Sequence, residues 1–175
     1  MKKSAKVAAE IRGLLDYDPA TGIFRWRPRP TINHATRTWN IRFAGTVAGF
    51  DTNKNYRQIE IYKSGYKAHR LAWLHYYGEW PQLHIDHING DRLDNRINNL
   101  RQATKSQNGG NSKISKKNTT GLKGVSIVKK TGKYHSQIMF CGEIIRLGDF
   151  ETPEEAHAAY VHAASELFGE FARAS

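Results

Sequence analysis

The sequence predicts an α+β protein made of several small modules rather than one large core. Apolar residues occur in short runs, some alternating with polar residues as in strands and others spaced as in helices. Turns containing glycine or proline separate these runs, and no apolar run approaches the roughly 20 residues of a membrane-spanning helix. A chain of 175 residues divided in this way gives each module only a modest core.

The N-terminal region predicts a helix, a turn and two separate strands. Apolar residues at helical spacing predict a helix over 6–16, and the turn sequence at 18–22 ends it. A short strand is predicted over 23–27, before a proline-rich basic loop. Alternating apolar and polar residues predict another strand over 56–62, with a turn at 63–65.

A short buried helix and two short strands are predicted next. Residues 69–77 are rich in Leu, Ala and aromatic residues, and Gly78 and Pro81 end this helix. Strands are predicted over 83–87 and 96–101, around a polar loop whose Asn, Gly and Asp residues favour turns.

Thr104 and Gln107 have the spacing of a capping box, which begins another helix. Asn108 therefore falls in or near the first turn of that helix. Gly109 and Gly110 each weaken a helix by roughly 1 kcal/mol relative to alanine, so the helix is predicted to be short.

The C-terminal segment predicts a three-stranded sheet backed by one helix. Strands are predicted over 124–129, 133–141 and 143–150, joined by turns that contain glycine. Thr152 and Pro153 then supply an N-cap and a favoured first helical residue.

Before this segment, residues 112–120 are polar and lysine-rich, which is typical of a solvated linker. The predicted segments are a basic N-terminal region over 1–68, a core over 69–113, a linker over 114–120 and a C-terminal domain over 121–175.

The net charge of +11 indicates a polyanionic partner such as nucleic acid. Residues 1–68 carry 13 basic and 5 acidic residues, a net charge of +8. Residues 119–148 carry five Lys or Arg and one acidic residue, whereas 149–175 carry six acidic residues and one Arg. The predicted sheet is therefore basic and its helix acidic, so the free face of the sheet could lie in a groove of DNA.

The cysteine content excludes two classes of structure. Cys141 is the one cysteine, so neither an intramolecular disulfide framework nor a multi-cysteine zinc site can form, and a reducing compartment is indicated. The N-terminus has no signal-peptide core. We therefore expect a cytoplasmic, intracellular protein, which a virus could encode, with no membrane partner and no small-molecule cofactor.

Five landmarks follow one another between residues 69 and 111. They are His69-Arg70-Leu71, Asp86-His87, Asn89-Gly90, Asn98-Asn99-Leu100-Arg101 and Asn108-x-x-Asn111. In order and spacing they resemble the HNH endonucleases of virus- and intron-borne homing enzymes. This resemblance implies a small ββα-metal nuclease core.

A second set of landmarks lies between residues 119 and 175. It comprises Gly121-x-x-Gly124-Val125, Gly132-Lys133-Tyr134, Arg146-Leu147-Gly148-Asp149-Phe150 and Thr152-Pro153-Glu154-Glu155-Ala156. These residues resemble the AP2 DNA-binding domain, which implies a three-stranded antiparallel sheet packed on one helix. Residues 17–26 also resemble the N-terminal region of similar viral HNH proteins, but no separate function follows.

Cleaving a phosphodiester requires an activated water, neutralised charge on the phosphorus and a stabilised leaving oxygen. The HNH resemblance implies that His87 is the general base and that Asn99 braces the loop that orients it. It also implies that Asp86 and Asn108 hold one divalent ion, Mg²⁺ or Mn²⁺, which favours hard oxygen ligands. The founding motif has histidine where this chain has Asn108, whose neutral amide takes that place in the implied metal site.

Asp86 and His87 present a geometric difficulty. Neighbouring residues of a regular strand point to opposite faces, so the backbone has to leave strand geometry at His87 if both serve one site. Strict alternation would instead pair His84 with Asp86. His84, Arg70 and Asn111 are therefore further candidates for phosphate or metal contact.

Basic and amide side chains of both terminal regions are candidates for DNA contact, with Lys at phosphates and Gln or Arg at base edges. They are Arg25, Arg27 and Arg29 in the N-terminal loop and Lys123, Lys129, Lys130, Lys133, His135, Gln137 and Arg146 in the C-terminal segment.

Together these features predict a modular endonuclease that acts on double-stranded DNA as a monomer, with homing endonuclease as the leading role. Two alternatives stay open. One is a sequence-specific DNA-binding protein that does not cleave and is indifferent to Mg²⁺. The other is a nonspecific nuclease whose C-terminal sheet only adds affinity.

Overall fold

The computed structural model describes the backbone of residues 5–174 and the side chains of residues 7–174. The chain divides into two compact units, the first ending at Gln102 and the second beginning at Ala103. Each unit combines short helices with small sheets, which confirms the predicted α+β class. Within the described residues, no helix is long and apolar enough to cross a membrane.

The first unit is built from short elements in close succession. They are α1 (Ala5–Leu14), β1 (Leu15–Asp18), β2 (Ile23–Trp26), α2 (His34–Phe43), β3 (Phe50–Asp51), β4 (Arg57–Ile61), β5 (Ser64–Lys67), α3 (Ala68–Tyr77), β6 (His84–His87), a 3-10 turn (Ile97–Asn99) and β7 (Leu100–Ala103). β1 and β2 form an antiparallel hairpin, β4 lies between β3 and β5 in an antiparallel sheet, and β6 pairs with β7.

One apolar core holds the first unit together. Phe24 of β2, Ile59 of β4 and Leu71 of α3 are each 0% exposed, and Ile85 of β6 packs in the same cluster. Burying each side chain of this size contributes roughly 1.5–3 kcal/mol. Because elements on both sides of the predicted boundary at 68/69 share this core, the unit extends to Gln102 instead.

α2 is an element that the sequence pattern missed, because a proline-rich loop is predicted there. The N-cap is Asn33, whose side chain accepts a hydrogen bond from the Thr36 N–H at 2.9 Å, while the Thr36 hydroxyl oxygen accepts from the Asn33 N–H at 3.3 Å. Threonine replaces the Glu or Gln of the usual capping box. None of the described side chains of α2 is fully buried, so apolar periodicity does not mark the helix either.

The other element boundaries either agree with those predicted from the sequence or differ from them by a few residues. The β4–β5 turn lies at Tyr62 and Lys63, whose φ values are 50° and 61°, one residue before the predicted turn. β7 begins at Leu100, because a 3-10 turn occupies the start of the predicted strand. The predicted helix ending at Gly78 is confirmed as α3, whose C-cap glycine is left-handed.

The second unit contains a helix, a three-stranded sheet and a longer helix. Its elements are α4 (Lys105–Gly110), β8 (Val125–Ile127), β9 (Tyr134–Phe140), β10 (Glu143–Phe150), α5 (Pro153–Phe168) and a 3-10 turn (Gly169–Phe171). The strands are antiparallel in the order β10-β9-β8, with α5 packed against the sheet. The capping boxes of Thr104 and Thr152 are both present, which confirms the two predicted helix starts.

The segment predicted as a linker is ordered by Asn118. Its side-chain oxygen accepts from the N–H groups of Thr120 and Gly121, and its amide donates to the carbonyls of Leu122 and Val125. Because one side chain satisfies four backbone groups, this segment is a fixed part of the second unit rather than a spacer.

Candidate active site

β6 carries both Asp86 and His87 and ends at His87. The Gly90 N–H donates to the His87 carbonyl at 2.8 Å, so a tight turn follows the strand directly. Asp86 is 6% exposed and His87 is 4% exposed. Two consecutive titratable residues are therefore buried at the end of a strand.

Asp86 forms a buried ion pair with Arg101. The Asp86 Oδ2 accepts from the Arg101 Nε at 3.0 Å, and the two side chains are 7% and 15% exposed. Removing one partner of a buried pair costs roughly 3–5 kcal/mol, because the other charge is left uncompensated. Arg101 therefore helps to balance the Asp86 carboxylate in the free protein.

His87 lies in a cluster of rings from separate elements. The His69 ring of α3 meets it edge to face with centroids 5.1 Å apart, and the Tyr56 ring lies 6.2 Å from it. Tyr56 also contacts the His69 ring, at 5.2 Å. The imidazole thus lies against rings from α3 and from the residue before β4, whereas Asp86 contacts Arg101.

Burial lowers the pKa of His87 from its ordinary value. The Asn95 side chain acts in the opposite direction, and so do the carboxylates of Asp86, Asp91 and Asp94. Because burial has the largest effect, the neutral imidazole is favoured near neutral pH, which is the form that accepts a proton.

Asn99 holds the loop that follows His87. Its side-chain oxygen accepts from the Asn89 N–H at 3.0 Å and its amide donates to the Asp94 carbonyl at 2.9 Å. Its own carbonyl accepts from the Ile88 N–H at 2.9 Å. One buried residue thus joins both ends of the loop.

The β1–β2 hairpin supports the same loop from the outside. The Tyr17 hydroxyl donates to the Asn95 carbonyl at 2.7 Å, and the Ile97 N–H donates to the Pro19 carbonyl at 3.1 Å. Gly22 has a φ of +75°, and a Cβ there would lie 2.5 Å from the Asn95 carbonyl carbon. Glycine is needed at this position both for its backbone conformation and for the close approach.

Two exposed cations lie beside the ring cluster. The Lys67 ammonium is 4.5 Å from the centre of the Tyr56 ring, and the Arg92 guanidinium is 5.0 Å from it. Both side chains belong to exposed residues. Positive charge therefore lies against the Tyr56 ring, which neighbours His87.

The other residues predicted around the site have separate environments. His84 is exposed at the start of β6. The Arg70 guanidinium donates to the carbonyls of Pro81 and Leu83 at 3.2 and 3.3 Å, so it ties down the loop before β6. Asn108 is half-buried in α4 of the second unit, and Asn111 is the buried C-cap of that helix.

Lys123 corrects one of the predicted DNA contacts. It is 8% exposed, and its ammonium donates to the carbonyls of Gly110, Ser112 and Arg173 at 2.6–2.8 Å. Burial lowers the pKa of Lys123 to about 8. Because the Lys123 ammonium is already hydrogen-bonded to three carbonyls of the second unit, it is not available to bind a phosphate.

The remaining predicted contacts of the second unit lie at its surface. Lys129 and Lys130 are exposed in the turn before β9, and Gln137 is exposed and pairs across the sheet with Arg146. Asp149 pairs with both His135 and Arg146. Lys133 precedes β9 and pairs with the exposed Glu151.

In the first unit, each predicted arginine contact also has a partner within the protein. The Arg25 guanidinium donates to the Gly45 carbonyl at 3.0 Å, and Arg27 pairs with Asp16 at 2.6 Å. The Arg29 guanidinium stacks 3.7 Å from the centre of the Trp39 ring.

Sequence patterns did not identify the neighbours that define the His87 environment. Tyr56, Lys67 and Arg92 come from separate segments of the chain, and their contacts with one another depend on packing that no local spacing encodes. Arg101 was visible as part of a motif, but its pairing with Asp86 was not predicted. Within residues 7–174 there is no cluster of three or more His, Cys, Asp or Glu side chains that could hold a metal ion.

Comparison with known proteins identifies the segment that contains these residues. Residues 66–109 match the HNH endonuclease family. The chain is 34% identical to Protein 3.8 of Escherichia phage T7 over 116 residues, which is 64% of this chain and 95% of the phage protein. It is 33% identical over 121 residues to an uncharacterised HNH endonuclease of Acanthamoeba polyphaga mimivirus, covering 63% of this chain and 62% of that protein.

No solved structure matches the chain. The HNH match points to a nucleic-acid endonuclease, and it includes Asp86, His87 and Asn99. The chain belongs to the same family as Protein 3.8 of phage T7 and carries an HNH endonuclease domain.

Proposed function

We propose that this protein is a divalent-metal-dependent endonuclease that hydrolyses phosphodiester bonds in double-stranded DNA at preferred sites, as a homing endonuclease does. The observation that carries the proposal is the buried Asp86–His87 pair at the end of β6, inside the segment that matches the HNH family. The protein acts as a monomer with one such site per chain.

His87 is the general base in this proposal. Burial favours its neutral form, which can take a proton from the attacking water. A base has to come within roughly 3 Å of that water, and His87 is 4% exposed in the free protein. Binding of DNA therefore has to open a path to the imidazole ring.

Asp86 holds one divalent ion, Mg²⁺ or Mn²⁺, and the family motif assigns Asn108 as the second protein ligand. The donor chemistry fits, because carboxylate and amide oxygens are hard ligands and Asp86 already balances a positive group, the Arg101 guanidinium. When bound, the ion supplies a Lewis acid that stabilises the charge on the phosphate and the leaving oxygen.

Asn99 acts as a positioning residue. Its two side-chain hydrogen bonds hold the loop between Asn89 and Asp94, which begins two residues after His87. A loop fixed at both ends keeps the backbone of His87 in one orientation. The role that the family motif gives Asn99 agrees with these contacts.

In this proposal, basic surfaces on both units bind the DNA. Lys67 and Arg92 provide positive charge beside His87, and Lys129, Lys130 and Arg146 provide it on the second unit. In this proposal the second unit is an AP2-like reader whose exposed sheet face supplies the site preference. Gln137 and Arg146, which pair across that sheet, would face base edges.

The proposal is tested by incubating supercoiled plasmid and a library of candidate target duplexes with the wild-type protein and with His87→Ala, in Mg²⁺, in Mn²⁺ and in chelator. We expect cleavage by the wild type with metal, none in chelator, and a loss of at least about a hundredfold in His87→Ala, which is the typical contribution of a general base. His162→Ala is the matched control, because His162 is an exposed histidine of α5.

Each alternative gives a different result. Undiminished cutting by His87→Ala would remove His87 from the mechanism. Tight binding that ignores metal, with no cleavage of any substrate, would favour the non-cleaving DNA-binding protein. Scattered cleavage of every duplex would favour the nonspecific nuclease.

A further inference from the structure

The chain from residue 19 to residue 50 contains no Asp or Glu and five arginines. This run includes β2, the proline-rich loop and α2. A segment of uniform positive charge attracts a polyanion and repels a basic partner. In a protein proposed to act on DNA, such a run on the surface is a candidate DNA contact.

α2 is fixed to the unit through one face. The Asn40 side chain accepts from the Arg29 N–H and donates to the Arg29 carbonyl, both at 2.8 Å. The Trp39 ring meets the Trp26 ring of β2 edge to face at 5.7 Å, and the Arg29 guanidinium lies 3.7 Å from its centre. Two-sided hydrogen bonding and ring packing hold the helix in one orientation, although none of its described side chains is fully buried.

The opposite face of α2 is exposed and carries groups suited to DNA. At 3.6 residues per turn, one side of the helix contains the exposed residues His34, Arg37, Thr38, Ile41 and Arg42. Ile41 is 80% exposed, so its side chain is free to contact a partner. Arginine reads guanine edges or phosphates, threonine donates or accepts hydrogen bonds, and an apolar side chain contacts the thymine methyl group.

We propose that α2 is a DNA-recognition helix that lies in the major groove of duplex DNA, with Arg37 and Arg42 at phosphates or guanines and Thr38 and Ile41 at base edges. The major groove is about 12 Å wide and admits an α-helix. The charge of residues 19–50 favours DNA over a protein surface as the occupant. The inference rests on the proposed function. It adds a base-recognition element in the first unit to the one proposed for the sheet of the second unit.

The first test measures binding without cleavage. Fluorescence anisotropy of a labelled duplex is recorded in chelator over a range of salt concentrations for the wild type and for the double variant Arg37→Ala/Arg42→Ala. We expect binding to weaken by about tenfold or more, with the slope of the salt dependence falling by about one unit for each phosphate that the variant no longer neutralises. The double variant Lys54→Ala/Lys63→Ala is the control, because it removes the same charge from exposed residues outside α2.

Equal weakening by both double variants would overturn the inference, since net charge alone would then explain the loss. If Arg37→Ala/Arg42→Ala lost as much affinity for single-stranded DNA as for duplex DNA, the inference would be overturned as well, because the major groove exists only in the duplex. Circular dichroism melting of each variant checks that the fold is intact. Binding is measured in chelator, so a protein that binds through α2 but never cleaves would contradict the proposed function and leave this inference standing.

The second test distinguishes recognition of bases from nonspecific electrostatic attraction to DNA. Ile41→Ala and Thr38→Ala keep the charge of α2, so the salt dependence of binding should not change. Site selection from a random duplex library should show relaxed preference at one or two adjacent positions for these variants. An unchanged site preference in both variants would remove base reading from the role of α2.

Discussion

Asn99 is the side chain that fixes the loop after His87, and its replacement should be costly. In Asn99→Ala the part-buried N–H of Asn89 and carbonyl of Asp94 both lose their side-chain partner. We expect a loss of about 1–3 kcal/mol in the free energy of unfolding, measured by urea denaturation, because two hydrogen bonds are lost and each contributes roughly 0.5–1.5 kcal/mol.

Asn98→Ala is the matched control for this prediction. Asn98 is the preceding residue in the same 3-10 turn, but it is exposed. Its replacement should change the free energy of unfolding by no more than about 0.5 kcal/mol, as is usual for surface substitutions. Similar losses in both variants would mean that the Asn99 side chain does not brace the loop.

Single residues also mark the limit of sequence-based prediction. Asn99 was identified because it belongs to a motif of fixed order. The ring contacts of Tyr56 and His69 with His87 join residues from three parts of the chain, so no local spacing could indicate them. Lys123 was assigned to DNA because it is basic, whereas its burial against three carbonyls follows only from the packing of the second unit.

The two glycines of α4 have opposite roles, although helix propensity treats them alike. A Cβ on Gly110 would lie 2.6 Å from the Phe168 ring, whereas a Cβ on Gly109 would have nothing within 4 Å. Gly110→Ala should therefore destabilise the protein by about 1–3 kcal/mol, as overpacking does. Gly109→Ala should stabilise it by up to about 1 kcal/mol through helix propensity.

Thermal melting followed by circular dichroism compares these two variants with the wild type. The pair differs by one position and by the same added methyl group, so each is the control for the other. A stabilising Gly110→Ala would show that α5 does not pack closely on α4 through Phe168.

Helices that carry a strong local signal were predicted, and the helix that lacks one was not. α4 and α5 begin at Thr104 and Thr152, each followed by a glutamine or glutamate that completes the capping box. α2 begins at Asn33 with Thr36 in that place, and its packing depends on Trp26 and Arg29 from outside the helix. Its tertiary contacts, rather than its own sequence, specify the element.

The extent of each unit also depends on contacts between distant parts of the chain. Composition predicted a separate basic region over 1–68, because charge changes along the sequence. Phe24 and Ile59 nevertheless pack in one core with Leu71 and Ile85, so the N-terminal region forms part of the same unit as Asp86 and His87. The distribution of charge along the chain indicates what kind of partner the protein binds. The limits of a compact unit depend instead on which apolar residues share one core.

Acid should destabilise the first unit because it buries neutral histidines, among them His69 and His75. Burial lowers the pKa of His69 to about 3 and that of His75 to about 4. In the unfolded chain both titrate near 6.5, so between about pH 6.5 and 4 the unfolded state binds more protons and stability falls as pH falls, by up to roughly 1.4 kcal/mol per pH unit for each histidine. All four tryptophans lie before Gln102, so tryptophan fluorescence during urea unfolding follows this unit. His75→Gln should make the free energy of unfolding less dependent on pH. The control His162→Gln, which replaces an exposed histidine, should leave that dependence unchanged. A free energy of unfolding that stays constant from pH 7 to pH 4 would contradict the burial of neutral histidines.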